Sequence, residues 1–158
     1  KYLGVLIDMR LSWKNHIDHL CNRTSRTVGV ISKLRLFLPR YVFLKIYKSL
    51  LHPLLSYSVN IWRQTNKPAI NKVLILQKRA LRLICFKKSN ESAIPLFTVN
   101  NILTVTLLYY HSLAQLMFDV SINKATHNIQ NMFVEIKAAY SYTDTRSNTA
   151  GNLFCKFF

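Results

Sequence analysis

The sequence predicts a mainly α-helical protein with a short N-terminal β element, a helical bundle and an irregular C-terminal tail. Three observations carry this prediction. Apolar residues recur about every 3.6 positions over long stretches, as on the buried face of a helix. Prolines stand between these stretches, where helices begin or end. Half of the 158 residues are hydrophobic, which is enough to build the core of one domain.

The N-terminal β element is predicted over residues 2–7, YLGVLI, which are rich in residues that favour strands. Asp8 begins a turn candidate directly after it. Gly4, inside the stretch, indicates a bulge or a close approach by another part of the backbone. We assign residues 1–11 to this element, which is too short to form a sheet without a partner strand.

A long amphipathic helix is predicted from Ser12 to Leu38, with Ser12 as its N-cap and Pro39 ending it. Its buried face repeats at helical spacing through Trp13, Ile17, Leu20, Thr24, Val28, Ile31 and Leu34 or Arg35. The opposite face is basic and carries three long cationic side chains, those of Arg23, Arg26 and Lys33. That face is either an ordinary solvated surface or a surface for an anionic partner.

Two further helices are predicted on either side of a polar connection. The second runs over residues 40–62 and is kinked or split by Pro53. Its buried stripe is predicted at Val42, Ile46, Leu50, Pro53 or Leu54, Tyr57 and Ile61. The third begins at Pro68 and ends near Phe86. Gln77 falls in its apolar stripe, so we expect a buried, hydrogen-bonded amide there rather than a group that reads bases.

The second half of the chain is neutral. Residues 92–118 contain no charge, but Pro95 and several amides and hydroxyls interrupt them, which favours a buried helix at 105–121 over a membrane span. A short helix is predicted at 128–138. The predicted domains are therefore a β element, a basic helical domain, a neutral helical connection and an irregular tail, at residues 1–11, 12–88, 89–140 and 141–158.

The basic residues are concentrated in the first part of the chain. Residues 1–88 hold 18 of the 22 Lys and Arg residues but only two of the six acids. A uniformly solubilised surface does not have this distribution, whereas a part that binds a polyanion does. The candidate residues for contacting a nucleic-acid backbone are Arg10, Lys14, Arg23, Arg26, Lys33, Lys78, Arg79 and Arg82. Trp13 and Trp62 are expected in the core rather than under bases.

Catalytic and metal-binding patterns are absent from the sequence. No phosphate-binding glycine loop or nucleophile elbow occurs. His16 and His19 stand three residues apart, but no further ligand follows at zinc spacing, so we expect no metal and no cofactor. The three widely separated cysteines favour a reducing compartment, either nuclear or cytoplasmic, and no signal-peptide layout is present at the start.

The order of the motifs resembles the reverse transcriptases of non-LTR, LINE-type retrotransposons of the jockey kind. The resemblance begins with Lys1-Tyr2-Leu3-Gly4-Val5 and continues through Asp8, Leu11, Trp13, His16 and Ile17. It includes the LQKRALR stretch at residues 76–82 and two later segments, at residues 95–97 and 140–146. The similarity covers nearly the whole chain, and its specificity lies in the order and spacing of these segments.

The resemblance implies a C-terminal fragment of an RNA-directed DNA polymerase. Lys1, Tyr2, Leu3 and Gly4 would belong to the primer-grip region at the last palm strand, and residues 12–88 would be thumb-like. The family's catalytic aspartates precede this segment, so the fragment alone would catalyse nothing, and Mg²⁺ would bind outside it. The implied partners are an RNA template, a DNA primer, and the missing fingers and palm domains, with no membrane.

Two alternatives remain open from the sequence. The chain is an independent basic helical module that binds nucleic acid, or a membrane-associated helical protein that uses residues 92–118 together with the basic face. An upstream strand pair carrying [FY]ADD would favour the polymerase fragment over the independent module. Flotation with anionic liposomes would test the membrane alternative.

Overall fold

The computed structural model describes residues 1–135 and 153–155, and these residues are mainly helical, as predicted. The chain divides into two compact units, Lys1–His111 and Ser112–Phe158. The thumb-like assignment and the four-part division of the chain remain predictions.

A tight turn replaces the predicted N-terminal β element, so that prediction is wrong. Leu3 and Gly4 have φ values of 44° and 86°, and Tyr2 and Val5 exchange two backbone hydrogen bonds of 2.9 and 2.8 Å. Positive φ at both central residues is the mark of a two-residue type I′ turn. The turn reverses the chain after a single isolated bridge, so no extended run forms.

The first helix, α1, spans Lys14–Leu34 and is shorter at both ends than predicted. Ser12 is not its N-cap, because its hydroxyl accepts only a 3.4 Å bond from Lys14. Asp8 organises the start instead, since its carboxylate accepts the backbone N–H groups of Ser12 and Trp13, both at 3.0 Å. The bond from the Ser12 backbone is the main reason that the pKa of Asp8 lies below its ordinary value.

The predicted second helix is divided into four short elements. They are α2 (Arg40–Ile46), a π-helical turn (Tyr47–Leu51), α3 (His52–Ser56) and α4 (Val59–Trp62). Pro53 has no N–H to give to the helix, and the π-helical turn directly before α3 accommodates the missing bond. The break itself comes four residues after Pro53, where Tyr57 is extended and Ser58 is left-handed.

The predicted buried stripe of this region is wrong, because the observed stripe is displaced by one position over most of its length. Leu50 and Tyr57 are 55% and 52% exposed. The side chains that are actually buried are Phe43, Tyr47, Leu51, Leu55, Val59 and Trp62. Most of these are spaced by four residues rather than 3.6, which the wider π-helical turn permits. Trp62 lies fully in the core, as expected, while Trp13 is only partly buried.

The third long helix, α5, spans Lys67–Ile84 and confirms the prediction that Pro68 opens it. Asn66 caps it by accepting a 3.0 Å hydrogen bond from the Ala69 N–H. Its C-terminus closes through the paired bonds Phe86 N–H to Leu83 O and Lys87 N–H to Arg82 O. This is a Schellman motif, with Phe86 at φ 56° in the position that glycine usually holds.

Three more helices follow in the described residues. They are α6 (Ile94–Val99), α7 (Val105–Ser121) and α8 (His127–Gln130). The bounds of α7 match the prediction, but its burial does not, because Leu107, Tyr110 and Phe118 are exposed. The prediction of a helix to residue 138 is wrong, since α8 ends at Gln130 and a strand follows.

A two-stranded antiparallel sheet lies in the second unit. Strand β1 spans Phe133–Glu135 and pairs with β2, Leu153–Cys155, with Val134 opposite Phe154. The predicted irregular tail at 141–158 therefore contains a strand, because these residues find hydrogen-bonding partners in β1. The rest of that predicted tail lies outside the described residues.

The core of the first unit consists of two clusters between α1 and α5. One joins the C-terminal halves of these helices to α2, the π-helical turn and α6 through Ile31, Phe43, Leu51, Leu81, Ile84 and Phe97. The other joins their N-terminal halves to α3, α4 and the start of α7 through Ile17, Leu20, Leu55, Trp62, Val73 and Val105. The two long helices thus form the scaffold on which the shorter ones pack.

Gln77 links these elements through a fully buried amide, which confirms its predicted role. Its Nε2 donates to the Tyr47 hydroxyl and to the Leu103 carbonyl, both at 2.8 Å. Its Oε1 accepts the Val105 N–H at 2.9 Å, which caps the first turn of α7. Burial raises the pKa of Tyr47 to about 12, and the bond from Gln77 opposes that rise.

Opposite effects on stability are expected from two glycine-to-alanine changes. Gly4→Ala places a side chain at φ 86°, which should destabilise the protein by about 1–2 kcal/mol. Gly29→Ala lies inside α1, where the added methyl group meets nothing within 4 Å beyond the adjoining backbone of its own helix, and it should stabilise by about 0.5–1 kcal/mol. Urea unfolding of both variants measures this, and a stabilising Gly4→Ala would contradict the type I′ turn.

Candidate nucleic-acid interface

The N-terminal turn packs against two helices of the first unit. The Tyr57 hydroxyl donates to the Leu3 carbonyl, and a methyl group added to Gly4 would lie 3.7 Å from the Tyr57 ring. Beside this contact is a cleft of about 340 Å³, the N-terminal cleft, whose lining includes Gly4, His16, His19, Arg23, Leu50 and Tyr57. The cleft brings one predicted primer-grip-like residue, Gly4, together with one predicted backbone-binding residue, Arg23.

His16 at the base of this cleft serves a structural role. It is buried, its Nδ1 accepts the Leu6 N–H at 3.3 Å, and its ring lies 6.1 Å from that of Trp62. Burial, followed by the nearby His19, lowers the pKa of His16, so the ring is neutral at pH 7. Within residues 1–135 and 153–155, no cluster of three metal-ligating side chains occurs.

A second depression runs between α1 and α5. This α1–α5 groove has a volume of about 290 Å³ and is lined by Lys33, Arg79, Gly29 and small polar residues of α1. Gly29 leaves open space there, because no side chain projects from it. The groove brings together two predicted backbone-binding residues from different helices, Lys33 and Arg79. Elsewhere along the pair, Lys72 and Asp18 join the helices by an exposed ion pair of 3.7 Å.

The other predicted residues are distributed less compactly. The side chains of Lys1, Tyr2, Leu3, Arg10, Lys14 and Arg26 are exposed, and Lys78 is half-buried. The Arg82 side chain already makes an internal hydrogen bond, because its Nε donates to the Glu91 carbonyl at 2.7 Å. The predicted backbone-binding residues therefore occupy several parts of the surface of the first unit rather than one continuous groove.

Three cationic residues near the C-terminus of α5 were not among the predicted sites. Arg35, Lys87 and Lys88 line a cleft of about 810 Å³ together with Arg79 and Arg82, and we call this the basic cleft. Arg35 follows α1, while Lys87 and Lys88 lie in the loop after α5, so the cleft is assembled from distant parts of the sequence. In the sequence, only the adjacent Lys87-Lys88 pair indicates a local concentration of positive charge at this cleft.

Among the described residues, no helix combines the length and the apolar character that crossing a membrane requires.

Comparisons with known proteins agree with the motif pattern. The chain is 34% identical over 89 residues to the RNA-directed DNA polymerase from mobile element jockey of Drosophila melanogaster. It is 33% identical over 89 residues to the probable RNA-directed DNA polymerase from transposon X-element of the same species. The Drosophila funebris jockey polymerase is 32% identical over the same length.

Each match covers 53% of this chain and 10% of the relative, so the chain corresponds to a small part of the curated polymerases. No protein-family model matches the chain, and no solved structure does. Over the matched residues, this chain is related in sequence to the reverse transcriptases of non-LTR, LINE-type retrotransposons.

Proposed function

We propose that this chain is the primer-grip, thumb and post-thumb part of a retrotransposon reverse transcriptase, and that it positions the template–primer duplex by its phosphate backbone. The observation that carries the proposal is the concentration of 18 of the 22 Lys and Arg residues in positions 1–88, where α1 and α5 hold nine of them. The relationship to jockey and X-element polymerases supports an RNA template and a DNA primer as the partners.

The contacts proposed here come from cations on α1 and α5, and from Lys1 and Arg10 near the N-terminus. Arg23 beside Gly4 and Lys33 beside Arg79 place positive charge at two depressions of the first unit. Such contacts bind phosphates and fix orientation without reading bases. Four of the eight proposed backbone residues lie on α1, and α1 is 21 residues or about 32 Å long, which is enough to follow several phosphates.

Binding with little sequence preference is the expected result. The chain should bind RNA–DNA duplexes of unrelated sequence with affinities that agree within about threefold, because backbone contacts carry no base information. Fluorescence anisotropy with labelled duplexes of equal length and different base composition measures this. A difference of about a hundredfold between two sequences would contradict backbone positioning, since it corresponds to about 2.7 kcal/mol of base discrimination.

We further propose that the catalytic aspartates and the Mg²⁺ ions of the parent polymerase lie outside this chain. Asp8 is engaged with the start of α1, and Asp18 is paired with Lys72, so neither is arranged as part of a carboxylate pair for two-metal chemistry. The purified chain should incorporate no nucleotide into a primed RNA template with Mg²⁺ or Mn²⁺. Primer extension that copurifies with the chain and is lost in an Asp8→Asn variant would contradict this assignment.

The nucleus or the cytoplasm is the proposed location, where RNA templates are present. The remaining fingers and palm domains of the same polypeptide are the proposed protein partners. An independent nucleic-acid-binding module is the second candidate, favoured by the well-packed core that the first unit builds from its own residues. Coexpression with the upstream part of a related polymerase distinguishes them, because only the polymerase fragment should copurify with that part.

A further inference from the structure

The basic cleft has a lining unlike that of the α1–α5 groove. Five cationic side chains surround its volume of about 810 Å³, which is within the size range of small-ligand sites. Apolar side chains of α5 form part of the wall, namely Ile75, which is 62% exposed, and Leu83. Ser89 and Asn90 add polar groups from the following loop. The lining thus combines charge for a phosphate with an apolar surface for a flat ring.

Glu91 holds the loop of this cleft in place. Its carboxylate accepts the Lys88 N–H at 2.8 Å and pairs with the Lys87 ammonium at 2.9 Å, while its carbonyl accepts from Arg82 at 2.7 Å. The bond from the Lys88 backbone is the main reason that the pKa of Glu91 lies below its ordinary value, so this acid is charged and already compensated by Lys87.

Other cations of the cleft remain available to a ligand. In the described part of the chain, neither the Arg79 nor the Lys88 side chain has a hydrogen bond or an ion pair. The guanidinium of Arg35 stacks 5.0 Å from the centre of the Phe86 ring, and its buried Nε has no partner among the described residues. Phe86 in turn packs edge-on against Phe43, with 6.4 Å between the ring centres. Guanidinium groups held in this way suit phosphate oxygens.

We propose that the basic cleft binds a single-stranded segment of nucleic acid, with a phosphate on Arg79 and Lys88 and an unstacked base against Ile75. The inference rests on the proposed function and adds to it a second binding site, which prefers single strands to duplexes. A duplex keeps its base faces stacked and offers only backbone, so the apolar wall gains nothing from it. A single strand offers both the phosphate and the base face.

Two single substitutions test the two halves of this site. Lys88→Ala should flatten the salt dependence of oligothymidylate binding by about 0.7 in the slope of log K against log salt. Ile75→Ser should weaken oligothymidylate binding about fivefold, leave binding of an abasic oligomer unchanged, and leave duplex binding within about twofold. Both side chains are exposed, so the fold should be retained, which thermal melting checks. Lys45→Ala, an exposed lysine on α2, is the matched control for charge.

Each outcome decides between specific alternatives. Oligothymidylate binding that neither variant alters would overturn the site. An abasic oligomer that binds the parent chain as tightly as oligothymidylate would overturn the base contact. Polyglutamate that binds more tightly than oligothymidylate, and depends on Lys88, would assign the cleft to an acidic peptide instead. Failure of the parent chain to bind duplexes would contradict the proposed function, whereas the part of oligothymidylate binding that depends on Lys88 and Ile75 reports on the basic cleft.

Discussion

Gln77→Leu should destabilise the first unit by about 3 kcal/mol or more. The leucine side chain fills a similar volume but leaves the Val105 N–H and the Leu103 carbonyl without their partners, each at a cost of about 1–3 kcal/mol when buried. The Tyr47 hydroxyl also loses its donor. A domain of this size has a total stability of about 5–15 kcal/mol, so the loss is a large fraction of it.

Two control variants separate the amide network from general effects of the substitution. Gln64→Leu makes the same chemical change at an exposed position and should alter the free energy of unfolding by less than about 0.5 kcal/mol. Tyr47→Phe removes one partner of Gln77 and should cost about 1 kcal/mol. Urea unfolding at constant pH measures all three variants. A Gln77→Leu loss below about 1 kcal/mol would mean that water satisfies these groups.

The long helices were predictable because their polar and apolar faces are clearly separated. In α5 the Asn66 cap and Pro68 mark the same helix start as the periodic apolar residues. Gln77 is buried at the position that this period predicts for the core-facing stripe. Local signals of this kind agree with one another, and such agreement marks reliable elements.

The region after α1 was misread because it is apolar on two neighbouring faces. Adjacent pairs such as Leu50-Leu51 and Leu54-Leu55 fit either of two stripes that differ by one residue. Packing against α1 and α5 selects the second stripe, which already begins at Phe43, before the π-helical turn. The sequence period alone carries no such information.

The surface sites were predicted only in part, for a related reason. Charge counting identified the basic first half of the chain, and the structure brings Lys33 and Arg79 into one groove. The basic cleft was missed because Arg35 is separated from Lys87 and Lys88 by about fifty residues of chain. Three-dimensional proximity between such distant residues depends on how α1 and α5 pack, which composition does not reveal.

Replacing Arg23, Arg26 and Lys33 together with alanine should weaken nucleic-acid binding to the same extent for all sequences. All three side chains are exposed and lie on α1 over a length of about 15 Å. If each neutralises one phosphate, their removal flattens the slope of log K against log salt by about two to three units. The free energy of unfolding should change little, because exposed charges contribute little to it.

A charge-matched variant is needed, because any loss of positive charge reduces long-range attraction to a polyanion. Lys45, Lys48 and Lys67 are also exposed, and none is among the proposed contacts. Their triple alanine variant removes the same formal charge from other elements. These three lysines attract the duplex only from a distance and contact no phosphate. Their removal therefore releases no fewer counterions on binding, and the slope should change by less than about one unit.

The most direct measurement is the salt dependence of RNA–DNA duplex affinity for the parent chain and both triple variants. The account predicts a steep parent slope, a nearly parental slope for the Lys45, Lys48 and Lys67 variant, and a slope flatter by about two to three units for the Arg23, Arg26 and Lys33 variant. A parental slope in the latter variant would show that the basic face of α1 is only a solvated surface, and would contradict its role in holding the template–primer backbone.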